Sequence, residues 1–252
     1  MARSGFILTL GRATGHDTGE MRWFAVSLAL LAVAISRGAS ATNPMVEFPP
    51  HPETLPALRY AQLTRARCLE ELDARGISYG KAPPVPTIDA PLRLVGPLRG
   101  VAFEFWHPTA KKTKEGPILD CRLLLGLDDL AGIAAAHDIA RIRFNSIYRG
   151  NWSKKGQRHP AGVAIDVVEL VKTDGEVLNV LADYHGAGVR SRTCGDGAPA
   201  ATGAKAVFLR EFVCAVHASR TFNLILTPHY DRAHENHFHL EVRRGIKWWL
   251  TQ

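Results

Sequence analysis

The sequence predicts an α+β domain in which helices pack beside a small, mainly antiparallel sheet. Long segments with apolar residues at helical spacing are interspersed with shorter runs in which apolar and polar residues alternate as in strands. The chain contains no internal repeat and no low-complexity tract. Irregular mixing of helices and short strands is typical of α+β folds, so we expect one such domain over residues 57–252.

The segment that precedes this domain is predicted to direct export. Residues 1–41 are interpreted as an N-terminal extension and a secretory signal peptide, with translation starting at Met1 or Met21. A run at 24–35 that is apolar except for Ser27 follows Arg22, and the sequence ASA ends the segment at residue 41. As a helix, the run at 24–35 would be about 18 Å long, which is too short to cross a hydrocarbon core of about 30 Å. We therefore interpret it as a signal peptide rather than an anchor and expect no stable membrane span after cleavage. The exported protein is expected to be periplasmic or extracellular.

The elements of the domain are assigned in chain order from periodicity and from turn residues. Residues 42–56 are proline-rich and predicted to be a flexible lead-in, and a proline-broken connection is predicted at 79–91. The helices are predicted at 57–74, where Gly76 ends the first, at 119–138 and at 204–220. The strands are predicted at 92–96, 101–106, 139–150, 162–171, 177–184, 223–227 and 238–242.

The four cysteines predict two disulfides in an exported chain. They are Cys68, Cys121, Cys194 and Cys214, and four cysteines allow three connectivities. Pairing Cys68 with Cys121 and Cys194 with Cys214 is preferred because it joins the nearest segments. Free buried thiols are the alternative, and the lack of a C-x-x-C motif disfavours a cysteine zinc site.

The charge of the chain suits an acidic partner. Thirty-one Lys and Arg against 24 Asp and Glu give a formal net charge of +7. Nucleic acid, an anionic membrane surface and an acidic cell-wall polymer all fit that sign. Because the basic residues are scattered and the chain is expected to be exported, we expect no nucleic-acid partner.

Histidines are concentrated in the stretch PHYDRAHENHFHLEV, which contains His229, His234, His237 and His239. Strand alternation places His237, His239 and Glu241 on one face and apolar residues on the other. A His-x-His pair on a strand is by itself more often an ordinary surface feature than a metal site. A catalytic zinc site needs three protein ligands, so partners must come from elsewhere.

Partners of the right chemistry occur in RHPAGVAIDVVEL. His159 lies in a polar loop and Asp166 on the strand that follows, and Gly162 lets the loop fold back so that the two converge. The same segment is equally typical of a turn that enters a buried strand. With one histidine of the last strand, these residues would form a His/Asp/His set for a divalent zinc ion, with a position left for water.

The spacing H-x-x-G-x-A-x-D, followed about seventy residues later by H-x-H, resembles the paired signature of a zinc-peptidase superfamily. That superfamily contains D-alanyl-D-alanine carboxypeptidases, murein endopeptidases and the hedgehog fold. The chain is most similar to the bacterial extensin-like C-terminal domain family, over roughly residues 60–243. The segments LDCRLL, RHPAGVAIDVVEL and FLREFVCAVHASRTFNLILTPHYDRAHENHFHLEV carry the similarity.

The resemblance implies a hedgehog/D-Ala-D-Ala-peptidase-like fold and zinc bound by His159, Asp166 and His239. It also implies that Arg149, in NSIYRGN, holds a substrate carboxylate or the developing oxyanion. Many relatives have a Glu, the general base, three residues before the last ligand, but this chain has Asn236 at that position. The spacing H-x-x-H-x-H instead resembles histidine-rich murein endopeptidases, which implies His237 as the acid/base. His234 is then its partner or an alternative base.

The sequence therefore predicts an exported zinc metallopeptidase that cleaves peptide bonds of peptidoglycan, at either a D,D- or an L,D-linkage. The alternative, from a different functional class, is a non-catalytic domain that binds the cell wall through a structural or degenerate zinc site. Neither reading sets the oligomeric state.

Overall fold

A computed structural model describes residues 43–106, 116–150 and 158–252. The predicted signal peptide lies outside the described residues. The helices described are α1 (Pro56–Gln62), α2 (Arg65–Ala74), α3 (Cys121–Ala136), α4 (Val180–Asp183) and α5 (Ala204–Ala218). The strands described are β1 (Val46–Glu47), β2 (Tyr79–Lys81), β3 (Pro91–Leu94), β4 (Ala102–Phe105), β5 (Ile118–Asp120), β6 (Ile139–Ser146), β7 (Ala164–Lys172), β8 (Val177–Asn179), β9 (Leu224–Leu226), β10 (Phe238–Glu241) and β11 (Trp249–Thr251).

The main sheet has eight strands in the order β1-β11-β9-β10-β7-β6-β4, and β8 also pairs with β7. Its β4–β6 and β9–β11 pairs are parallel and the other pairs are antiparallel. Strands β2, β3 and β5 form a second, antiparallel sheet. The α+β class is confirmed. The main sheet is larger than predicted and mixed, because it includes two parallel pairs, but most of its strand pairs are antiparallel as expected.

Helix α3 lies at the centre of the hydrophobic core. Its leucines are fully buried, as expected for a helix that is apolar on nearly all sides. Gly126 lies where the helix meets two side chains, since a Cβ there would come 3.2 Å from both Phe222 and Val242. The predicted helix at 119–138 is confirmed, although its first residues belong to β5.

The predicted helix at 57–74 is two helices that break at Leu63. The carbonyl of Leu63 accepts a hydrogen bond of 2.9 Å from Nε of Arg122, a fully buried side chain. Thr64 then caps α2 by accepting from the amide of Arg67 at 3.3 Å. A buried cation from α3 therefore interrupts the helix, and periodicity within 57–74 carries no sign of it.

Two further predictions are corrected, the first by a pairing distant in sequence and the second by a local helix cap. Strand β1 lies in the predicted lead-in and pairs with β11, which was not predicted at all. The predicted strand at 177–184 is only half strand, because Asn179 caps α4 by accepting from the amide of Ala182 at 3.0 Å. Among the described residues, no helix is long and apolar enough to cross a membrane.

The disulfides join Cys68 to Cys121 and Cys194 to Cys214, which is the pairing preferred from the sequence. The first links α2 to the start of α3, and the second links α5 to the loop before it. Each closes a loop of the chain, over 53 and 20 residues, and thereby restrains the unfolded state.

Candidate metal centre

The candidate site is built on one row of residues across three strands of the main sheet. Asp166 of β7 lies opposite His239 of β10 and opposite Ser146 of β6. Residues opposite one another on neighbouring strands project from the same face. Asp166 and His239 are buried, with 2% and 4% of their surface exposed. On the other face of β10, Phe238 and Leu240 belong to the core, which confirms the predicted alternation.

His159 reaches the row from the turn that precedes β7. The amide of Gly162 donates to the carbonyl of His159 at 3.0 Å, which closes the turn. Gly162 has a φ of 65°, and a Cβ there would lie 2.8 Å from the backbone nitrogen of Asp120. Glycine thus allows the chain to reverse against β5, and this reversal brings His159 back to Asp166 as predicted.

Two histidine nitrogens converge on one carboxylate oxygen. Nε2 of His159 lies 3.2 Å from Oδ1 of Asp166, and Nδ1 of His239 lies 2.9 Å from the same atom. The other ring nitrogen of each histidine faces an acceptor. Nδ1 of His159 is 2.8 Å from the carbonyl of Ile147, and Nε2 of His239 is 3.5 Å from Oε2 of Glu241. This arrangement holds both rings with one nitrogen directed at Asp166.

The three side chains fit a small divalent cation. One ligand atom from each of His159, Asp166 and His239 lies within 4.8 Å of the others. Ligands about 2.0–2.1 Å from a tetrahedral zinc lie about 3.3 Å apart, which is close to the two nitrogen–oxygen distances observed. Acceptors behind both imidazoles are also typical of metal-bound histidines. The set is therefore a possible metal site, and its nitrogen and oxygen donors are compatible with zinc among other metals.

Asp166 is held in its charged form. Burial raises the pKa of its carboxyl, but hydrogen bonds from His159 and His239 outweigh burial and leave the pKa well below its ordinary value. Its second oxygen, Oδ2, accepts a hydrogen bond of 2.7 Å from Nη2 of Arg149. One oxygen is thus available to a cation while the other fixes Arg149 beside the site.

His237 also directs a nitrogen towards the centre. Its Nε2 lies 3.5 Å from Oδ1 of Asp166, and its Nδ1 lies 2.7 Å from Oδ1 of Asn236. Burial lowers the pKa of His237 to about 4, although Asp166 opposes this, so the ring is neutral at neutral pH. A neutral imidazole beside the ligands can accept a proton.

His234 lies behind His237. The two ring centroids are 5.1 Å apart, and Nδ1 of His234 is 2.6 Å from Oδ1 of Asp231. The structure therefore brings His234 and His237 to the same site as the three predicted ligands, as the spacing H-x-x-H-x-H implied. Glu235, between them, is exposed.

His229 is the member of the histidine cluster that lies elsewhere. It is 1% exposed, and its ring nitrogens contact Ser191 and Arg210 rather than the candidate ligands. Four histidines within eleven positions thus serve two different places in the fold.

A cavity of about 510 Å³ opens over the candidate ligands. Three arginines, Arg149, Arg158 and Arg243, line it together with His234 and His237. Arg158 pairs with Glu241, with 2.8 Å between Nε and Oε2. On one accessible cavity the arrangement offers a possible cation site, the neutral imidazole of His237 and cationic side chains, which are groups of the kind that can assist metal-dependent hydrolysis.

Glu241 and Ser146, which lie against two of the candidate ligands, were not predicted as site residues. Glu241 is 1% exposed and joins His239 to Arg158, and Ser146 lies 3.3 Å from Nδ1 of His159. A signal for Glu241 was present, since it continues the alternating row of His237 and His239. Ser146 had none, because its place depends on the irregular register between β6 and β7.

Comparison with known proteins relates the part of the chain that holds this site to one family. Residues 143–251 match the family described as Extensin-like protein C-terminus. The match begins within β6, so it includes all the residues of the candidate metal centre and leaves out α1 to α3. No curated protein and no solved structure matched the chain.

Proposed function

We propose that this protein is an exported zinc-dependent hydrolase that cleaves peptide bonds of peptidoglycan. The observation that carries the proposal is the convergence of His159 and His239 on Oδ1 of Asp166 beneath an accessible cavity. Bound there, zinc would polarise the scissile carbonyl and acidify a water molecule. The relation to the D-alanyl-D-alanine-peptidase and hedgehog superfamily is part of the proposal and rests on the spacing of the same residues.

In this proposal His237 is the general base. Its Nδ1 faces Asn236 and its Nε2 faces the centre, so it is oriented to take a proton from the attacking water and return it to the leaving amine. His234, held by Asp231, supports the ring of His237 from behind. The basic role falls on a histidine because Asn236, which cannot accept a proton, occupies the position of the Glu in relatives.

Arg149 is proposed to hold an anionic group of the substrate or the developing oxyanion. Its contact with Oδ2 of Asp166 places the guanidinium at the edge of the centre, and 38% of its side chain is exposed. A planar cation in that place suits a carboxylate or an oxyanion better than a neutral carbonyl.

Export and the wall substrate are supported by separate features. The apolar run at 24–35 and the two disulfides suit an oxidising compartment outside the cytoplasm. Removal of residues 1–41, which contain four arginines and two acidic residues, changes the formal net charge from +7 to +5, which still suits an anionic polymer such as the cell wall.

The test is metal content together with digestion of purified peptidoglycan, with and without a chelator. We expect about one zinc per chain and release of peptides that the chelator abolishes. His239→Ala should lose the metal and at least about 100-fold of the activity, whereas the exposed His51→Ala control should keep both. Mass spectrometry of the products would identify a D,D- or L,D-linkage.

Two outcomes would overturn parts of the proposal. A folded protein that binds no divalent metal at micromolar concentration would remove the zinc site. Bound zinc with no cleavage of any wall preparation would favour the non-catalytic wall-binding domain.

A further inference from the structure

Arg243 differs from the other arginines that line the cavity above the candidate metal centre. Arg149 is bonded to Asp166 at 2.7 Å, and Arg158 is paired with Glu241 at 2.8 Å. Within residues 43–106, 116–150 and 158–252, no carboxylate lies at ion-pair distance from Arg243. Of these three cations, it is therefore the one whose charge no described acidic side chain offsets.

The backbone of Arg243 is fixed by a fully buried side chain. The amide of Arg243 donates to Oδ1 of Asn223 at 2.7 Å, and Nδ2 of Asn223 donates to the carbonyl of Arg243 at 2.8 Å. Asn223 is 0% exposed. This reciprocal pair holds the start of the arginine side chain at the edge of the cavity, one residue beyond the core residue Val242.

The guanidinium of Arg243 is restrained as well. It lies over the ring of Trp248, 5.6 Å from the ring centroid, and the residue is partly exposed. A cation that is already held in place loses less conformational entropy when it binds a ligand than a mobile surface lysine or arginine does. Arg243 thus combines accessibility, restraint and an uncompensated charge.

The charge of the cavity indicates the class of ligand. Three arginines and a bound divalent cation would outweigh the two carboxylates of Asp166 and Glu241, so the loaded cavity would be strongly positive. Such a cavity attracts anions, and arginine binds carboxylates through paired, charge-assisted hydrogen bonds.

We infer that Arg243 forms an anion subsite that binds one carboxylate of the substrate, apart from the group held by Arg149. The inference rests on the proposed peptide hydrolysis, and it makes the preferred substrate an acidic peptide with a free carboxylate on the side of the cavity where β10 ends. Amidation of that carboxylate would remove the charge that Arg243 recognises.

The test uses a synthetic stem tetrapeptide of peptidoglycan and a series in which its carboxylates are amidated one at a time. Binding to the zinc-loaded protein is measured by calorimetry, and cleavage is followed separately as kcat/KM. We expect amidation of one particular carboxylate to weaken binding about 10- to 100-fold in the unsubstituted protein. In Arg243→Gln the same amidation should have no effect, and Arg243→Lys should keep part of the preference.

Arg244→Gln is the matched control, because Arg244 is the next residue and pairs with Asp89 at 3.3 Å on the exposed surface. It should behave like the unsubstituted protein. Asn223 forms its hydrogen bonds with the backbone of Arg243, which the substitution does not change. We therefore expect Arg243→Gln to fold, and circular dichroism would check this.

An equal effect of amidation in the unsubstituted protein and in Arg243→Gln would overturn the subsite, as would failure of every peptide to bind at millimolar concentration. Cleavage without dependence on Arg243 would leave the hydrolase proposal intact and remove the subsite. Binding that depends on Arg243 but leads to no cleavage would keep the subsite and remove the hydrolase proposal.

Discussion

At the scale of single residues, Glu241 connects the candidate ligand His239 to the wall of the cavity. Its buried carboxylate lies 3.5 Å from Nε2 of His239 and 2.8 Å from Nε of Arg158. A carboxylate behind an imidazole orients the ring and makes its other nitrogen a stronger ligand. Glu241 is in this way a positioning residue, one step removed from the centre.

We therefore predict that Glu241→Gln weakens zinc binding about 10- to 100-fold, because the ring of His239 loses the negative charge that lies 3.5 Å from its Nε2 while the side-chain volume stays nearly the same. The dissociation constant would be measured by competition with a chromophoric chelator. Glu235→Gln is the control, since Glu235 is exposed and does not line the cavity. An unchanged dissociation constant in Glu241→Gln would show that its carboxylate has no part in holding the ligand.

Sequence patterns indicated which residues lie together at the candidate site, but they did not indicate the contacts between those residues. The alternation of β10 and the spacing of His159 and Asp166 are properties of short segments, so they can be read from the sequence. Arg149 was placed by resemblance, but its bond to Asp166 could not be foreseen, because it depends on how β6 and β7 are aligned. The same holds for the pairing of Arg158 with Glu241.

At the scale of elements, the turn at 158–163 connects local backbone conformation with the metal centre. Gly162 has a φ of 65°, and a Cβ there would also lie 2.9 Å from Cδ1 of Ile88. Its carbonyl accepts a hydrogen bond of 2.9 Å from the amide of Asp120. The turn is thereby fixed against β5, and His159 is fixed with it.

We predict that Gly162→Ala lowers the free energy of unfolding by about 2–5 kcal/mol, from backbone strain of about 1–2 kcal/mol and steric overlap of about 1–3 kcal/mol. Gly76→Ala is a matched control, since Gly76 has a φ of 67° and no atom within 4 Å of a Cβ. For Gly76→Ala the free energy of unfolding should fall only by the part due to backbone strain, about 1–2 kcal/mol. Urea unfolding measures both variants.

Zinc affinity should also differ between Gly162→Ala and Gly76→Ala. Because His159 belongs to the turn of Gly162 and not to that of Gly76, only Gly162→Ala should weaken zinc binding. Equal losses of stability and equal zinc affinities in the two variants would contradict a link between this turn and the site.

Long-range contacts explain why the predicted elements were only partly right. Helices α3 and α5 were predicted because their apolar residues recur at helical spacing over at least fifteen residues. Strands β1 and β11 have two and three residues, and they exist because they pair with each other and with β9. A pattern so short carries no periodicity, so such strands cannot be recognised before the sheet is known.

At the scale of the whole molecule, His229 joins the loop before α5 to the main sheet. Nη2 of Arg210 lies 3.0 Å from Nε2 of His229, and the hydroxyl of Ser191 lies 3.3 Å from its Nδ1. The backbone carbonyl of His229 accepts a hydrogen bond of 2.7 Å from the amide of Arg190. The ring of His229 is thus neutral, and its Nε2 accepts a hydrogen bond from the guanidinium of Arg210.

Protonation of His229 should destabilise the fold. Burial, with the nearby charge of Arg210, lowers the pKa of His229 from 6.5 to about 4 in the folded state. Between pH 6.5 and pH 4 the unfolded chain binds the proton and the folded chain does not, so the free energy of unfolding falls as the pH falls. The contribution of His229 is complete above about pH 6.5 and amounts to about 3 kcal/mol when it has been lost.

We predict that His229→Gln, whose side-chain oxygen can still accept from Arg210, loses less stability between pH 7 and pH 5 than the unsubstituted protein does. Urea unfolding at pH 7, 6 and 5 measures the slope, and other buried histidines such as His217 contribute equally to both proteins. His51→Gln, in the exposed lead-in, should retain the unsubstituted slope. If His229→Gln retained that slope as well, the acid sensitivity of the fold would have to come from other groups, and His229 would be shown to protonate without opposition from Arg210.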